Sequence, residues 1–286
     1  MRLRDGVEKA GQSRWIAHRT IVPPLPSVTA GRVLLAALLV CVTGCGAANP
    51  APASTGAVPV LHPQVLAEMP HDTTAFTQGF EIDGGVLYEG TGLAGRSQLR
   101  ELDPATGAVR RAVPLPGQLF GEGVTVVGAG IWQLTWRDGV VLEWDRATLT
   151  LRREVPLDGE GWGLCLDGAQ LVRSDGTDRL RFQDPDTFAE QGSVAVTLDG
   201  APVTELNELE CVDGQVWANV WQTDRIVRID PANGRVTAVV DATDLLDAQR
   251  RAGADVLNGI AAVPGTDEFL ITGKLWPVTF RVRFAA

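Results

Sequence analysis

The chain has 286 residues, enough for one large domain or two ordinary ones, and its 32 glycines and 17 prolines indicate many turns. Its net charge of −10 becomes −14 without residues 1–45, which carry six Lys or Arg against two Asp or Glu. We therefore expect no nucleic-acid partner, because phosphate recognition needs basic patches.

Residues 1–45 have the layout of an export signal. Arg32 precedes an apolar run, 33–42, that is too short to span a bilayer, and small residues lead to Cys45. The ending VTGC resembles a bacterial lipoprotein box, in which the cysteine is lipidated; a short buried helix is the alternative. We expect a lipoprotein-type signal peptide (1–45), a flexible Ala/Pro-rich linker (46–62) and a folded domain (63–286). The protein would be exported to the cell envelope and held at the membrane only by lipid on Cys45.

A unit of roughly forty residues repeats along the rest of the chain. Asp103, Asp145, Asp184 and Asp230 each begin a tight turn between two apolar strands, at spacings of 42, 39 and 46 residues. A second hairpin, with an Asp-Gly or Gly-rich turn, precedes each of them.

This arrangement of four short strands per unit is typical of a propeller blade. A fifth unit near the C-terminus lacks its returning strand, and an open strand edge invites aggregation. We expect an all-β fold, a five-bladed β-propeller of four-stranded antiparallel blades, with residues 63–70 supplying the N-terminal strand that closes the ring.

Two further expectations concern residues outside the hairpin pattern. Residues 241–255 are predicted to form a short surface helix before the last unit. Cys165 and Cys211 each lie two residues before a turn aspartate, Asp167 and Asp213. Because equivalent positions in successive blades should point the same way around the ring, we expect two separate buried thiols rather than a disulfide.

Three short motifs carry little functional signal. GTGLAG (90–95) matches a dinucleotide-binding pattern by letter, but no helix follows it, so a glycine loop is expected. SDGTD (174–178) could bind calcium, although an ordinary turn is the better interpretation. After residue 45 the only histidines are His62 and His71, which excludes zinc sites built on several histidines. We expect His71 to order the entry to the first unit.

Aromatic and polar residues recur at the strand ends that should surround the mouth of the central channel. The aromatic members are Phe76, Phe120, Trp136, Trp162 and Trp221, whereas Trp132 and Trp217 are expected to pack between blades. The polar members are Gln78, Glu122, Asn207, Glu208, Glu210, Asn258 and Lys274. Lys274 is the only lysine after Lys9, and a carboxylate enclosed by aromatic rings gains a raised pKa suited to acid–base catalysis.

The chain resembles the plant and bacterial type of glutaminyl-peptide cyclotransferase. The resemblance covers residues 65–284 through ordered motifs that include HDTTAFTQGF, YEGTGLAGRSQLRELD, FGEGVT, QLTW, GWGL, NELE, LNGIA and TGKLWP. It implies a five-bladed propeller, an acyltransferase that converts N-terminal glutamine of peptides or proteins to pyroglutamate and releases ammonia. It also implies no cofactor and no catalytic metal.

The resemblance assigns a role to each of the site residues. Glu122 is expected to be the proton shuttle, and Lys274 a second catalytic residue that binds the carboxamide oxygen or adjusts nearby carboxylates. The residues expected to bind substrate are Phe76, Gln78, Phe120, Trp136, Trp162, Asn207 and Trp221. The partners are peptides or proteins with N-terminal glutamine, and the protein is expected to be a monomer. The alternatives are a non-catalytic binding module and a metal-dependent lactonase-like propeller with Glu122, Asn207 and Glu208 as ligands.

Overall fold

The computed structural model describes residues 57–286, so the expected signal peptide and Cys45 lie outside the described residues. Twenty-two strands make up its regular secondary structure. They are β1 (Val60–Pro70), β2 (Thr77–Asp83), β3 (Val86–Thr91), β4 (Gln98–Leu102), β5 (Val109–Pro114), β6 (Gly121–Val127), β7 (Gly130–Thr135), β8 (Val140–Asp145), β9 (Leu151–Pro156), β10 (Leu164–Asp167), β11 (Gln170–Arg173), β12 (Arg179–Gln183), β13 (Glu190–Ala195), β14 (Thr197–Leu198), β15 (Ala201–Pro202), β16 (Leu206–Val212), β17 (Gln215–Val220), β18 (Arg225–Asp230), β19 (Arg235–Asp241), β20 (Leu257–Ala262), β21 (Glu268–Gly273) and β22 (Val278–Ala285). No helix among these residues is long and apolar enough to cross a bilayer.

The strands form three four-stranded antiparallel sheets and one larger sheet. The small sheets are β2–β5, β6–β9 and β10–β13, each paired in chain order. In the larger sheet, β16–β19 pair in chain order, and so do β20–β22. Strand β1 lies between β19 and β22 and joins the two sets. Strand β1 pairs antiparallel with β22, from His62 opposite Ala285 to Pro70 opposite Val278, and pairs parallel with β19 over two residues. The predicted all-β architecture of four-stranded antiparallel sheets is confirmed.

Five strands lie beside one another in a closed series, and we call them the inner strands: β2, β6, β10, β16 and β20. β2 contacts β6 and β20, β10 contacts β6 and β16, and β16 contacts β20. The arrangement is propeller-like, with apolar side chains packed between neighbouring sheets. In β18, for example, Ile226 and Ile229 are fully buried because both faces of the strand lie against other apolar residues.

Hydrogen bonds to aspartate side chains explain why the hairpins between the third and fourth strands of each four-stranded set, such as β4–β5, form where the sequence predicts them. Asp103 accepts hydrogen bonds from the backbone N–H groups of Ala105 and Thr106, both at 3.0 Å. Gly107 then adopts a φ of 69°, the left-handed conformation that glycine tolerates best. Asp145, Asp184 and Asp230 lead the equivalent turns of β8–β9, β12–β13 and β18–β19.

The expectation of two separate thiols is wrong. Cys165 and Cys211 form a disulfide, with their Cα atoms 5.5 Å apart. The two hairpins turn at different residues: Asp167 is the last paired residue of β10, whereas Val212 is the last of β16 and Asp213 is already in the turn. This difference of one residue places the two side chains on opposite faces of their strands, so that they point toward each other between adjacent sheets.

The predicted helix over residues 241–255 is also wrong, since this segment forms turns. Asp247 accepts hydrogen bonds from the backbone N–H groups of Gln249 and Arg250. Aspartate side chains that capture nearby N–H groups compete with helical pairing, and Gly253 has a φ of 89°. Two smaller differences are that β1 begins at Val60, inside the expected linker, and that the short hairpin β14–β15 was not predicted.

Candidate active site

A cavity of about 400 Å³ opens among the loops at the starts of the inner strands. All nine sequence-predicted catalytic and substrate-binding residues line it. They are Phe76, Gln78, Phe120, Glu122, Trp136, Trp162, Asn207, Trp221 and Lys274. Gln222, Asp255 and Val256 complete the lining. The sequence therefore predicted which side chains come together, although they are spread over some two hundred residues of chain.

Three of the polar side chains that line the cavity come from β-bulges at the beginnings of inner strands. The regular pairing is interrupted around Gln78 in β2, Glu122 in β6, Asn207 in β16 and Asn258 in β20. A bulge leaves a residue outside the ladder and redirects its side chain. The same local irregularity, repeated in four inner strands, thus concentrates polar groups at one end of an otherwise apolar core.

Aromatic rings form the wall of the cavity in two groups. In the first, Phe76 meets Phe120 edge-on at 6.1 Å between ring centroids, and Phe120 lies 5.5 Å from Trp136. In the second, Trp162 meets Trp221 edge-on at 5.6 Å. These geometries are favourable for aromatic pairs and leave large apolar surfaces around the polar residues. By contrast, Trp132 and Trp217 are buried in the packing between sheets, as expected.

Glu122 is buried, and one of its oxygens has a fixed partner. Gln78 donates its side-chain N–H to Glu122 Oε1 at 3.0 Å, and Asn258 in turn donates to Gln78 Oε1 at 3.2 Å. No described residue hydrogen-bonds to Oε2 of Glu122. Burial raises the pKa of Glu122 well above its usual range; the positive charge of Lys274 acts to lower this pKa, and the charge of Glu160 adds to the rise. A raised pKa suits a carboxyl group that must both accept and release a proton.

Lys274 is also buried, with its ammonium nitrogen 4.9 Å from the centroid of the Phe76 ring. Among the described residues it has no ion-pair partner within 4.0 Å. Burial lowers the pKa of Lys274, while the charges of Glu122 and Asp255 act to raise it. Its cationic group is therefore available to a ligand in the cavity rather than committed to a protein carboxylate.

The loop that carries Lys274 is fixed from two sides. The N–H of Lys274 donates to the carbonyl of Val256, and the N–H of Asp255 donates to the carbonyl of Lys274. The Trp276 indole donates to the carbonyl of Asp255 at 2.8 Å. On the other side, His71 Nδ1 donates to the carbonyl of Trp276 at 2.8 Å, while its Nε2 lies 3.0 Å from Glu89. Although burial acts to lower the pKa of His71, the hydrogen bond and charge of Glu89 raise it. The His71 ring therefore connects this loop to Glu89 in the first sheet.

Asn207 lines the cavity, and its side chain is buried. Its Oδ1 has no hydrogen-bond partner among the described residues and no contact with solvent. A buried carbonyl oxygen without a partner costs free energy, so Asn207 carries a local cost in stability.

Sequence reasoning missed four residues at this site: Glu160, Gln222, Asp255 and Val256. Asp255 was assigned to the end of the predicted helix, which concealed its place at the rim, and Val256 follows it directly. Glu160 precedes the recognised GWGL motif, and its contact with Trp136 gave no separate signal. Conversely, the oxygens of Glu208 accept hydrogen bonds from the backbone N–H groups of Phe80 and Ile260, so its carboxylate stabilises the inner strands.

Two of the minor motifs form loops and turns. In GTGLAG, Gly90 and Thr91 end β3 and the remaining residues form the expected loop, and Phe120 packs so closely on Gly92 that a Cβ there would lie 2.5 Å from the ring. SDGTD is a turn, as expected, in which Asp175 accepts hydrogen bonds from Thr177 and Arg181.

Comparison with known proteins agrees with this geometry. A family model described as "Glutamine cyclotransferase" matches residues 35–284. The chain belongs to the glutamine cyclotransferase family. A curated glutaminyl-peptide cyclotransferase from Arabidopsis thaliana is 38% identical over 225 residues, which cover 77% of this chain and 70% of the relative.

A solved structure of a glutamine cyclotransferase relative also matches. The glutaminyl cyclase of Myxococcus xanthus is 39% identical and superposes with a TM-score of 0.73, covering 79% of this chain and 98% of that protein. The family resemblance predicted from the motifs is therefore confirmed.

Proposed function

We propose that this glutamine cyclotransferase family member converts N-terminal glutamine of peptides or proteins to pyroglutamate with release of ammonia. The observation that carries the proposal is the buried Glu122, bonded to Gln78 through one oxygen and enclosed by the aromatic wall beside Lys274. The 38% identity to a curated glutaminyl-peptide cyclotransferase supports the same reaction.

The reaction needs no protein nucleophile. The substrate's α-amine attacks its own γ-carboxamide carbon, a carbon–nitrogen bond closes the five-membered lactam, and the carbon–nitrogen bond to the side-chain amide nitrogen breaks. One proton must leave the attacking amine, and one must reach the departing ammonia. The cavity must also hold the side chain curled, and such positioning can contribute several kcal/mol.

Glu122 is the residue suited to the proton transfer. Its free oxygen can take the proton from the attacking amine and then give it to the leaving nitrogen, so the carboxyl group returns to its starting state. Burial raises the pKa of Glu122, which favours its taking a proton from the amine. Gln78 holds the carboxylate in place through Oε1.

Lys274 and Asn207 would stabilise the reacting groups. The Lys274 ammonium could bind the carboxamide oxygen as negative charge develops on it, or tune Glu122 through its charge. The side chain of Asn207, which lines the cavity, would contact the substrate amine or amide. The aromatic wall would enclose the methylene groups of the glutamine side chain; its members are Phe76, Phe120, Trp136, Trp162 and Trp221.

We also propose that the sheets form a five-bladed propeller, with β1 as the outermost strand of the last blade. The closed series of contacts among β2, β6, β10, β16 and β20 and the antiparallel pairing of β1 with β22 support this arrangement. Strand exchange between subunits is then unnecessary, which favours a monomer.

Export and lipid attachment at Cys45 remain part of the proposal. The disulfide between Cys165 and Cys211 supports an oxidising compartment outside the cytosol. To test the anchor, Cys45→Ser and wild-type cells are fractionated. We expect the variant in the soluble fraction, whereas membrane retention equal to that of the wild type would contradict attachment at Cys45.

Ammonia release from a Gln-initiated peptide tests the proposed reaction. We expect turnover with Gln at the N-terminus, none with Glu or with an acetylated Gln, and no change on adding a chelator. Absence of turnover would favour a binding module, and loss only with chelator would favour the metal-dependent alternative. That alternative requires Glu208 as a ligand, yet both of its oxygens accept backbone hydrogen bonds.

A further inference from the structure

Glu160 lies between two tryptophans of the cavity wall and bonds to both. Its Oε2 accepts the indole N–H of Trp136 at 2.8 Å and that of Trp162 at 3.0 Å. Its Oε1 accepts a hydrogen bond from Arg137 at 2.7 Å, and the Arg137 guanidinium stacks 4.1 Å from the Trp136 ring. One carboxylate thus joins Trp136, of the first aromatic group, to Trp162, of the second.

The loop that carries Glu160 is fixed by hydrogen bonds to its own backbone. The buried Arg173 donates to the carbonyl of Glu160 at 2.6 Å, and the N–H of Gly161 donates to the carbonyls of Thr135 and Trp136. On its other side Trp162 lies against Gly176, where a Cβ would approach the ring to 2.6 Å. A buried arginine that donates to the carbonyls of both Asp158 and Glu160 indicates that the loop position is specified closely.

The hydrogen bonds also determine what the tryptophans can offer a ligand. An indole has one N–H donor and no acceptor, and Glu160 takes both donors. Trp136 and Trp162 therefore present only ring surface to the cavity. The polar groups of a substrate are left to the other polar residues of the lining, which are Gln78, Glu122, Asn207, Gln222, Asp255 and Lys274.

We propose that Glu160 is a positioning residue, which sets the spacing of the two aromatic groups around the glutamine side chain by holding Trp136 and Trp162. This inference rests on the proposed function and adds a residue to it. Glu160 acts through the tryptophans and does not contact the reacting atoms.

Electrostatics gives this residue a second, measurable effect. Although partial burial acts to raise the pKa of Glu160, its hydrogen bonds from Trp162, Arg137 and Trp136 lower it, so the group is ionised at neutral pH. The charged groups that face Glu122 are Lys274 and Glu160, which act in opposite directions. Removing the negative charge at position 160 leaves Lys274 unopposed and lowers the pKa of Glu122.

The test compares Glu160→Gln and Glu160→Ala with wild type and with Glu68→Gln, which removes a carboxylate–arginine pair on β1 away from the cavity. We expect KM for a Gln-initiated peptide to rise about tenfold in the Glu160 variants, with a smaller change in kcat, because a hydrogen bond to a charged group is lost. The acid limb of the kcat profile should move to lower pH in Glu160→Gln. The control should match wild type in both measurements.

A second readout does not depend on turnover. Near-ultraviolet circular dichroism reports the fixed environment of the tryptophans, and we expect it to change in both Glu160 variants but not in Glu68→Gln. An unchanged KM and pH profile, or spectra that superpose on wild type, would overturn the positioning role. If wild type itself releases no ammonia, the proposed reaction fails, while the spectra still decide whether Glu160 orders the two rings.

Discussion

Gln78 donates its side-chain N–H to Glu122 Oε1 at 3.0 Å, and both residues lie in bulges at the starts of adjacent inner strands. The bond fixes the carboxylate while its other oxygen stays free for a substrate. Because Asn258 donates to Gln78 Oε1, the amide of Gln78 can present only its N–H to Glu122. Three inner strands thereby orient one proton-transfer group.

This relationship predicts the effect of Gln78→Leu, which keeps the approximate side-chain size and removes the donor. We expect kcat/KM to fall roughly tenfold or more, since a hydrogen bond to an ionised group is lost. The ionised form of Glu122 should also be less favoured, so the acid limb of the kcat profile should move to higher pH. This shift is opposite to that expected for Glu160→Gln, and two shifts in the same direction would contradict the assignment.

Lys274 can be tested with Lys274→Met and Lys274→Arg. We expect Lys274→Met to lower kcat about 100-fold, because a buried cation beside the reacting carboxamide is removed. Lys274→Arg should also lose activity, since the bulkier planar cation cannot replace a compact ammonium 4.9 Å from the Phe76 ring. Arg110→Lys, at an exposed ion pair with Asp103, is the matched surface control. Full activity in Lys274→Arg would show that only a positive charge is needed.

The buried carboxylates deeper among the inner strands predict how stability depends on pH. Burial raises the pKa of Glu81 to about 7, while the hydrogen bond from the backbone N–H of Val126 opposes the rise. The folded protein then keeps a proton that the unfolded chain releases above about pH 4.5. The stabilising contribution is complete below that pH and is lost as pH rises to about 7.

We therefore expect Glu81→Gln to flatten the fall in stability between about pH 4.5 and pH 7. The difference in the free energy of unfolding between variant and wild type should change by at most about 3 kcal/mol across this window. One pKa unit corresponds to about 1.4 kcal/mol, and the side chain of Glu81 keeps partial contact with solvent. Urea unfolding at several pH values measures it. Parallel stability curves for the two proteins would contradict the raised pKa.

The disulfide predicts a loss of stability on reduction. Cys165 and Cys211 are 46 residues apart in sequence, and closing such a loop stabilises the folded state by about 2–4 kcal/mol in the chain-entropy account. We expect a reductant to lower the free energy of unfolding of wild type by this amount. A Cys165→Ala/Cys211→Ala variant should start at the lower value and show no further change. A reductant effect of equal size in that variant would assign the loss to something else.

The sequence predicts the hairpins and the site well because their signals are local or repeated. Turns such as that of Asp103 are specified within five residues, and they recur in four units. Corresponding positions at strand starts are occupied by Gln78, Glu122 and Asn207. The repeat alone therefore predicts that these three residues lie at the same end of the sheets.

The errors arise where one residue or one side chain changes the outcome. The turn after Cys211 begins one residue earlier than expected, and this register change turns its side chain toward Cys165. The side chain of Asp247 captures N–H groups that a helix would need, so a pattern with helical spacing forms turns. The sequence gives no signal for Glu160, because its proposed role depends on a hydrogen bond from Trp136, which follows a strand of another sheet.

The turnover number of Glu122→Gln on a Gln-initiated peptide tests the central claim most directly. Ammonia release gives kcat, while affinity for the pyroglutamyl product and the melting temperature show that the cavity and fold persist. The account predicts that kcat falls at least ~100-fold with both of these properties close to wild type, because the amide cannot accept the proton from the attacking amine. A kcat within a few-fold of wild type would contradict it.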